Sequence, residues 1–279
     1  MRGSCLCGDV AWEGAGEGHL VHHCHCGMCR KTTGTAFVTM GGFDAATFRF
    51  TQRGDVTRYR SSASLERCFC ARCSSWVPGE PAGEQVYVPF GSLEDDPGGR
   101  PLAHIFVASK APWYEIRDAL PSFDGYPPGY PEPVLPPQEP RGASAGRVGG
   151  SCLCGAVAYE IEGPVDAWYN CHCSRCRRAG GGAHASNLFL DARRFAWVRG
   201  ERELGSYVLP EAPRFGRSFC RGCGAKAPRV SAEFGHAAIP AGSLDDDPGS
   251  RPQRHIFVAS KAPWFEIADD LPQSAGPPR

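Results

Sequence analysis

Gly3-Ser-Cys-Leu-Cys-Gly8 returns unchanged as Gly150-Ser-Cys-Leu-Cys-Gly155, and this pair of stretches decides the fold. A motif that occurs twice, in the two halves of a chain of 279 residues, indicates a duplicated unit rather than a short-period solenoid. Four further motifs return in the same order: Cys24-His-Cys-Gly-Met-Cys-Arg30 as Cys171-His-Cys-Ser-Arg-Cys-Arg177, Phe69-Cys-Ala-Arg-Cys73 as Phe219-Cys-Arg-Gly-Cys223, Gly91-Ser-Leu as Gly242-Ser-Leu, and His104 to Trp113 verbatim as His255 to Trp264. The chain therefore contains two copies of one unit.

A proline-rich stretch separates the two copies. Residues 124–147 contain seven prolines and no hydrophobic period, which is typical of an extended connector. The connector, which carries Tyr126 and Tyr130, either lies along a domain surface or is a free linker. The predicted organisation is a first domain at 1–123, a linker at 124–147 and a second domain at 148–273, and the duplication favours an internal pseudo-dimer.

Composition excludes several classes of function. The 30 basic residues are balanced by 30 acidic residues, so no cationic surface for nucleic acid is expected. No apolar run is long enough to span a membrane, and the first residues lack a secretory signal. We therefore expect a cytoplasmic protein without a membrane partner, and we expect its 15 cysteines to bind metal rather than form disulfides.

Alternating apolar residues predict short strands in both copies. Val157-x-Tyr159-x-Ile161, Phe48-x-Phe50 and Val86-x-Val88-x-Phe90 have the period of half-buried strands, and 35 glycines with 25 prolines indicate many turns. Two helices are also expected in each copy. A short turn follows Cys29 or Cys176, and a closing helix carries apolar residues at helical spacing: Trp113, Ile116 and Leu120, or Trp264, Ile267 and Leu271.

The second copy has seven cysteines, which divide into four and three. Structural zinc sites have four protein ligands, whereas catalytic sites typically keep three and leave one position open. Cys-x-Cys pairs readily with a distant Cys-x-x-Cys, whereas Cys-x-Cys-x-x-Cys is self-contained. We assign two closed sites and two open sites; the closed ligands are Cys5, Cys7, Cys70, Cys73 and Cys152, Cys154, Cys220, Cys223, and the open, catalytic ligands are Cys24, Cys26, Cys29 and Cys171, Cys173, Cys176.

Other interpretations of these residues stay open. Cys68 aligns with Ser218 and is expected to be a buried or free thiol. The cysteine pairs could be redox dithiols, or His25 and His172 could close the three-cysteine sites. His104 and His255 could orient a substrate, although structural packing is the simpler role. Arg30, Lys31, Arg177 and Arg178 could attract a carboxylate or could be solvated surface charges.

Three thiolates give zinc a distinct chemistry. They leave the centre formally negative, so it acidifies water poorly and suits a fourth, soft sulfur ligand. An incoming thiol would be held as thiolate, which is the nucleophilic form of sulfur. An open site of this kind is suited to forming or cleaving a carbon–sulfur bond at a small carbonyl carbon.

Together the motifs resemble those of the glutathione-dependent formaldehyde-activating enzyme family, also called the centromere protein V family. The resemblance covers both copies nearly end to end. It implies a mainly β fold of two tandem β-tent domains, built of small twisted antiparallel sheets with few short helices. It also implies Zn²⁺ as cofactor, two ions per domain and four per chain, and a carbon–sulfur lyase that forms S-hydroxymethylglutathione from the thiol glutathione and the aldehyde formaldehyde.

The two copies depart from the family pattern in different places. The first has Cys73-Ser74 where the family has glycine, so a strained turn is expected there; the second keeps Cys223-Gly224. The open site of the second copy is more altered, since Lys31 is replaced by Arg178 and Phe37 by His184. If one copy alone is active, the sequence favours the first. The alternatives are a non-catalytic, zinc-stabilised protein-interaction module, and a pair in which one half only scaffolds the other.

Overall fold

Short strands, mostly antiparallel, dominate both repeats, and the predicted mainly β fold class is confirmed. The computed structural model describes residues 1–129 and 144–278. The first repeat contains β1 (Arg2–Ser4), β2 (Ala11–Glu13), β3 (His19–Cys24), helix α1 (Gly27–Thr33), β4 (Val38–Asp44), β5 (Arg49–Gln52), β6 (Val56–Arg60), β7 (Glu66–Cys70), β8 (Trp76–Val77), β9 (Gln85–Pro89) and β10 (Ala103–Ile105). The second contains β11 (Arg147–Ser151), β12 (Ala158–Glu162), β13 (Ala167–Cys171), helix α2 (Ser174–Gly180), β14 (Ala185–Asp191), β15 (Phe195–Arg199), β16 (Leu204–Val208), β17 (Gly216–Cys220), β18 (Lys226–Ala227), β19 (Arg229–Ser231), β20 (His236–Pro240), β21 (Arg254–Ile256) and β22 (Gln273–Ser274).

Within the part of the chain that the structure describes, the strands of each repeat form three small sheets. In the first repeat their orders are β1-β2-β5, β10-β3-β4-β9 and β6-β7-β8. In the second they are β11-β12-β15, β19-β20-β14-β13-β21-β22 and β16-β17-β18. The cysteine motifs lie at strand ends, where the backbone leaves the sheet and turns. The strands predicted around Tyr159, Phe50 and Val88 are present as β12, β5 and β9.

The two repeats pack against each other through one apolar core. The ring of Trp113 lies 5.1 Å from that of Trp168, and the ring of Trp264 lies 5.5 Å from that of Phe90. Each closing segment thus crosses to the other repeat. At the repeated Gly-Ser-Leu motif the backbones of the two repeats approach each other closely. A Cβ on Gly242 would lie 2.2 Å from the carbonyl oxygen of Arg30. A larger residue at that position would push the repeats apart.

The predicted closing helices are wrong. Residues 110–121 and 261–272 hold no helix, and only single 3-10 turns precede them, at 107–109 and 258–260. Side chains instead take up backbone groups that a helix would pair with each other. Asp118 accepts hydrogen bonds from the backbone N–H of Leu120 at 3.0 Å and from His104 at 2.9 Å, and Lys110 donates to the carbonyl of Tyr114. The apolar spacing reflects burial against the other repeat instead of helical periodicity.

Part of the predicted connector lies on the first repeat. The backbone N–H of Phe106 donates to the carbonyl of Gly125 at 3.2 Å, and the ring of Tyr126 packs edge-on against Phe106 at 4.8 Å. Tyr130 lies outside the described residues. The strand β11 begins at Arg147, at the end of the predicted connector.

Candidate metal and thiol sites

The structure brings the cysteines Cys5, Cys7, Cys70 and Cys73 together, with their sulfur atoms all within 4.8 Å of one another. The first two follow β1 in a tight turn, the third ends β7, and the fourth lies in the turn to β8. Sulfur-to-sulfur distances are 3.4 Å between Cys5 and Cys7 and 3.6 Å between Cys7 and Cys70. Two segments more than 60 residues apart therefore meet at one point.

The second repeat forms the same cluster from Cys152, Cys154, Cys220 and Cys223. Sulfur atoms lie 3.5 Å apart in the first pair and 3.7 Å apart between Cys154 and Cys220, and all fifteen thiols of the chain are free. A tetrahedral zinc with bonds of about 2.3 Å would hold its sulfur ligands roughly 3.8 Å apart. The donor set and its spacing therefore fit a structural zinc ion. We call these two groups the closed clusters.

The turn after the last closed-cluster cysteine is left-handed in both repeats. Ser74 has φ of 57° and Gly224 has φ of 71°. The strained turn expected at Ser74 is thus confirmed, because a serine occupies a conformation that glycine adopts without steric cost. The backbone and hydroxyl oxygens of Ser74 both accept hydrogen bonds from Lys226.

Replacing Gly224 by alanine should lower the free energy of unfolding by about 2 kcal/mol. The added Cβ would lie 2.6 Å from the ring of Phe69, and the backbone would keep its positive φ. Chemical denaturation measures the loss. Gly222→Ala is the matched control, since its Cβ would meet only ordinary contacts at 3.8 Å or more. Equal stability of the two variants would contradict the prediction.

Two clusters of three thiols lie beside the short helices. Cys24 ends β3, Cys26 caps α1 by accepting a hydrogen bond from the N–H of Cys29 at 3.4 Å, and all three sulfur atoms lie within 4.8 Å. Cys171, Cys173 and Cys176 repeat this arrangement at β13 and α2. Among the described residues no further histidine, cysteine or carboxylate joins either group. We call these the open clusters.

Each open cluster has an arginine partner that the sequence analysis missed. A side-chain N–H of Arg67 lies 3.5 Å from the sulfur of Cys29, and one of Arg217 lies 2.9 Å from that of Cys176. Burial would lower the pKa of Arg67, but the nearby thiolates outweigh it, and the pKa lies above its ordinary value. The signal in the sequence was the return of Arg67 as Arg217, in both repeats two residues before the Phe-Cys pair.

The repeated histidines form hydrogen-bonded chains away from the thiols. Asp118 accepts from Nε2 of His104, whose Nδ1 accepts from Nε2 of His25 at 2.8 Å. His172, His255 and Asp269 repeat the chain. Burial lowers the pKa of His25 and of His172, so both rings stay neutral. Among the described residues neither His25 nor His172 joins an open cluster, and His104 and His255 are almost fully buried.

The basic residues after the open clusters hold the other repeat. Lys31 donates to the carbonyl of Ser151 at 2.7 Å and pairs with Asp245 at 2.6 Å, with both charged side chains less than a tenth exposed. Arg178 donates to the carbonyl of Leu6 at 3.1 Å. Each short helix therefore supports the loop that enters the closed cluster of the other repeat. Neither a substrate-binding nor a solvated Lys31 agrees with this arrangement.

A mainly β fold with a closed and an open thiol cluster in each of two repeats defines a tandem, cysteine-cluster protein with the donor sets of zinc sites. A family described as glutathione-dependent formaldehyde-activating enzyme matches residues 1–109 and 147–260. The chain belongs to this family. No helix among residues 1–129 and 144–278 is long and apolar enough to cross a bilayer.

Individual relatives cover about one repeat. A Halomonas elongata protein whose name gives the same enzyme activity, provisionally, is 33% identical over 129 residues, which span 42% of this chain and 79% of that protein. A crystal structure of a Rhodobacter sphaeroides protein is 26% identical, with 37% of this chain and 97% of that chain covered and a TM-score of 0.30.

Proposed function

We propose that this chain is a zinc-dependent carbon–sulfur lyase acting on the adduct of a thiol, such as glutathione, with formaldehyde or a related small compound. The observation that carries the proposal is the open cluster, in which three thiols converge without a fourth protein ligand among the described residues. Four-thiol clusters would supply scaffolding only. Membership in the family supports the choice of thiol and aldehyde.

The reaction needs no oxidant or reductant. The thiol sulfur bonds to the aldehyde carbon, the carbonyl π bond opens onto oxygen, and the proton lost by the thiol ends on that oxygen. The reverse reaction releases thiol and aldehyde. When bound to the open cluster, zinc would supply the position that holds the incoming sulfur in its thiolate form.

The protein supplies charge balance around the cluster. The guanidinium of Arg217 donates to the sulfur of Cys176, and a hydrogen-bonded thiolate is a weaker nucleophile than a free one. Cys176 therefore remains a ligand, and the substrate sulfur keeps the higher reactivity. The same contact offsets part of the negative charge that accumulates when a further thiolate enters.

Metal analysis of the purified chain should find four zinc ions, one for each cluster. Two ions would restrict metal to the closed clusters. Cobalt-substituted protein should then change its thiolate-to-cobalt absorption when glutathione is added, since only a coordinating thiol alters that band. With formaldehyde present, nuclear magnetic resonance should detect S-hydroxymethylglutathione forming faster than without protein.

An unchanged cobalt spectrum would contradict thiol coordination and leave a zinc-stabilised interaction module as the function. Cys68→Ser is the control for added thiol acting elsewhere, because Cys68 is buried outside all four clusters. Its spectrum should match that of the unaltered chain at every glutathione concentration.

A further inference from the structure

We propose that the two open clusters have diverged: the second binds the substrate thiol through arginines at its mouth, and the first, whose neighbours are mostly apolar, serves the scaffold. This inference rests on the proposed function and names its working site and substrate class. It reverses the expectation from sequence, which favoured the first repeat. The opposite choice follows from what surrounds each cluster.

A cleft of about 520 Å³ opens beside the second cluster. Cys171, Cys173 and Cys176 line it together with Arg175, Arg214 and Phe215. Small-molecule sites typically have volumes of about 300–1,000 Å³, so a thiol of peptide size fits. The sulfur atoms thus face a space that can hold the remainder of the substrate.

The walls of this cleft are basic. The guanidinium groups of Arg175 and Arg217 lie 5.4 and 4.8 Å from the ring centre of Phe215, which holds both side chains in place. Among the described residues neither Arg175 nor Arg214, which both line the cleft, pairs with a carboxylate, whereas Arg217 donates to the sulfur of Cys176. Unpaired arginines bind carboxylates with strong, bidentate hydrogen bonds. A thiol that carries carboxylates is therefore the substrate class that fits.

Apolar side chains surround the first cluster instead. Met28 stands where the second repeat has Arg175, and it packs with Trp76 and Phe106 in one buried cluster with Cys24, Cys26 and Cys29. Arg67 is only 2% exposed and stacks on Trp76 at 4.6 Å. Its counterpart in the second repeat, Arg217, is half-buried and lines a neighbouring cavity beside Cys176.

Trp76 of the first repeat and Lys226 of the second stand at equivalent positions, and this exchange accounts for part of the difference between the two clusters. The Nζ of Lys226 donates a hydrogen bond to Ser74 of the first repeat, rather than to a thiol of the second open cluster. The space beside Arg217 and Cys176 is left as a cavity of about 230 Å³. Trp76 fills the equivalent space in the first repeat, where it is 6% exposed.

The connector covers the first cluster from another side. Tyr126 packs on Phe106, which lies in the same buried group as the three thiols. In the second repeat, Pro277 stands at the position of Tyr126, and Phe257 lines the cleft half-buried. Among the described residues, the ring pair of Phe106 and Tyr126 therefore has no counterpart in the second repeat.

Thiol titration of the cobalt-loaded full chain tests the division. Glutathione should bind with a stoichiometry of one per chain, and Cys173→Ser should lose that binding whereas Cys26→Ser keeps it. Arg175→Met, which copies the first repeat, should weaken glutathione about tenfold and leave uncharged 2-mercaptoethanol unchanged. Arg202→Met is the control, because Arg202 is exposed and is not among the residues that line the cleft.

The outcomes separate the two proposals. Absence of any thiol response would overturn the proposed function itself. Two thiols per chain, or one that survives Cys173→Ser, would overturn the division and leave the proposed function standing. If Cys173→Ser fails to fold, the double variant Arg175→Met with Arg214→Met decides: unchanged glutathione affinity would overturn the assignment of the basic cleft.

Discussion

Cys152→Ser is expected to unfold the second repeat at ordinary temperature and to release the zinc ion of its closed cluster. Structural zinc contributes about 10–16 kcal/mol of coupled folding free energy in small domains, which equals or exceeds the roughly 5–15 kcal/mol of total stability of a typical domain. Cys152 follows β11 and meets Cys220 at the end of β17. Without this ligand, the β11-β12-β15 sheet loses its link to the β16-β17-β18 sheet.

Thermal unfolding by circular dichroism, with zinc content measured on the same sample, checks this result. Cys68→Ser is the matched control: it is a buried thiol outside the clusters, and serine already occupies the equivalent position, Ser218. It should change the free energy of unfolding by less than about 1 kcal/mol. Cys173→Ser should also leave the fold intact. Unfolding of Cys173→Ser with a stable Cys152→Ser would show that the roles of the clusters are exchanged.

The sequence could predict the thiol groupings because cysteine spacing limits which sulfur atoms can meet. Cys171, Cys173 and Cys176 lie within one turn, so their convergence is local and depends little on the rest of the fold. The left-handed turn at Ser74 was predictable for a similar reason, since the equivalent residue, Gly224, indicates the backbone conformation. The mainly β class followed from alternation along short segments.

Features that depend on the other repeat could not be predicted. Lys31 looks like a surface charge in sequence, but its partner, Asp245, lies 214 residues away. The closing segments show helical spacing, yet Trp113 and Trp264 serve as anchors on the opposite repeat. No pattern within one repeat reports which side chains its neighbour will bury.

The second large effect is expected for Lys31→Met, which should lower the free energy of unfolding by about 3–5 kcal/mol. Removing the ammonium leaves the carboxylate of Asp245 buried and without its ion-pair partner, and it removes two hydrogen bonds to Ser151. Ser151 precedes Cys152, so the loop of the second closed cluster loses its support from the first repeat. Chemical denaturation monitored by intrinsic fluorescence measures the change.

Arg178→Met is the matched control for Lys31→Met, because Arg178 stands at the equivalent position but is partly exposed and donates mainly to backbone carbonyls. Its loss should cost about 1–2 kcal/mol. The double variant Lys31→Met with Asp245→Asn should be more stable than the sum of the single changes predicts, since the stranded charge disappears with its partner. Additive losses would contradict a direct pairing of these residues, and a loss for Lys31→Met no larger than that for Arg178→Met would show that the buried ion pair does not join the two repeats.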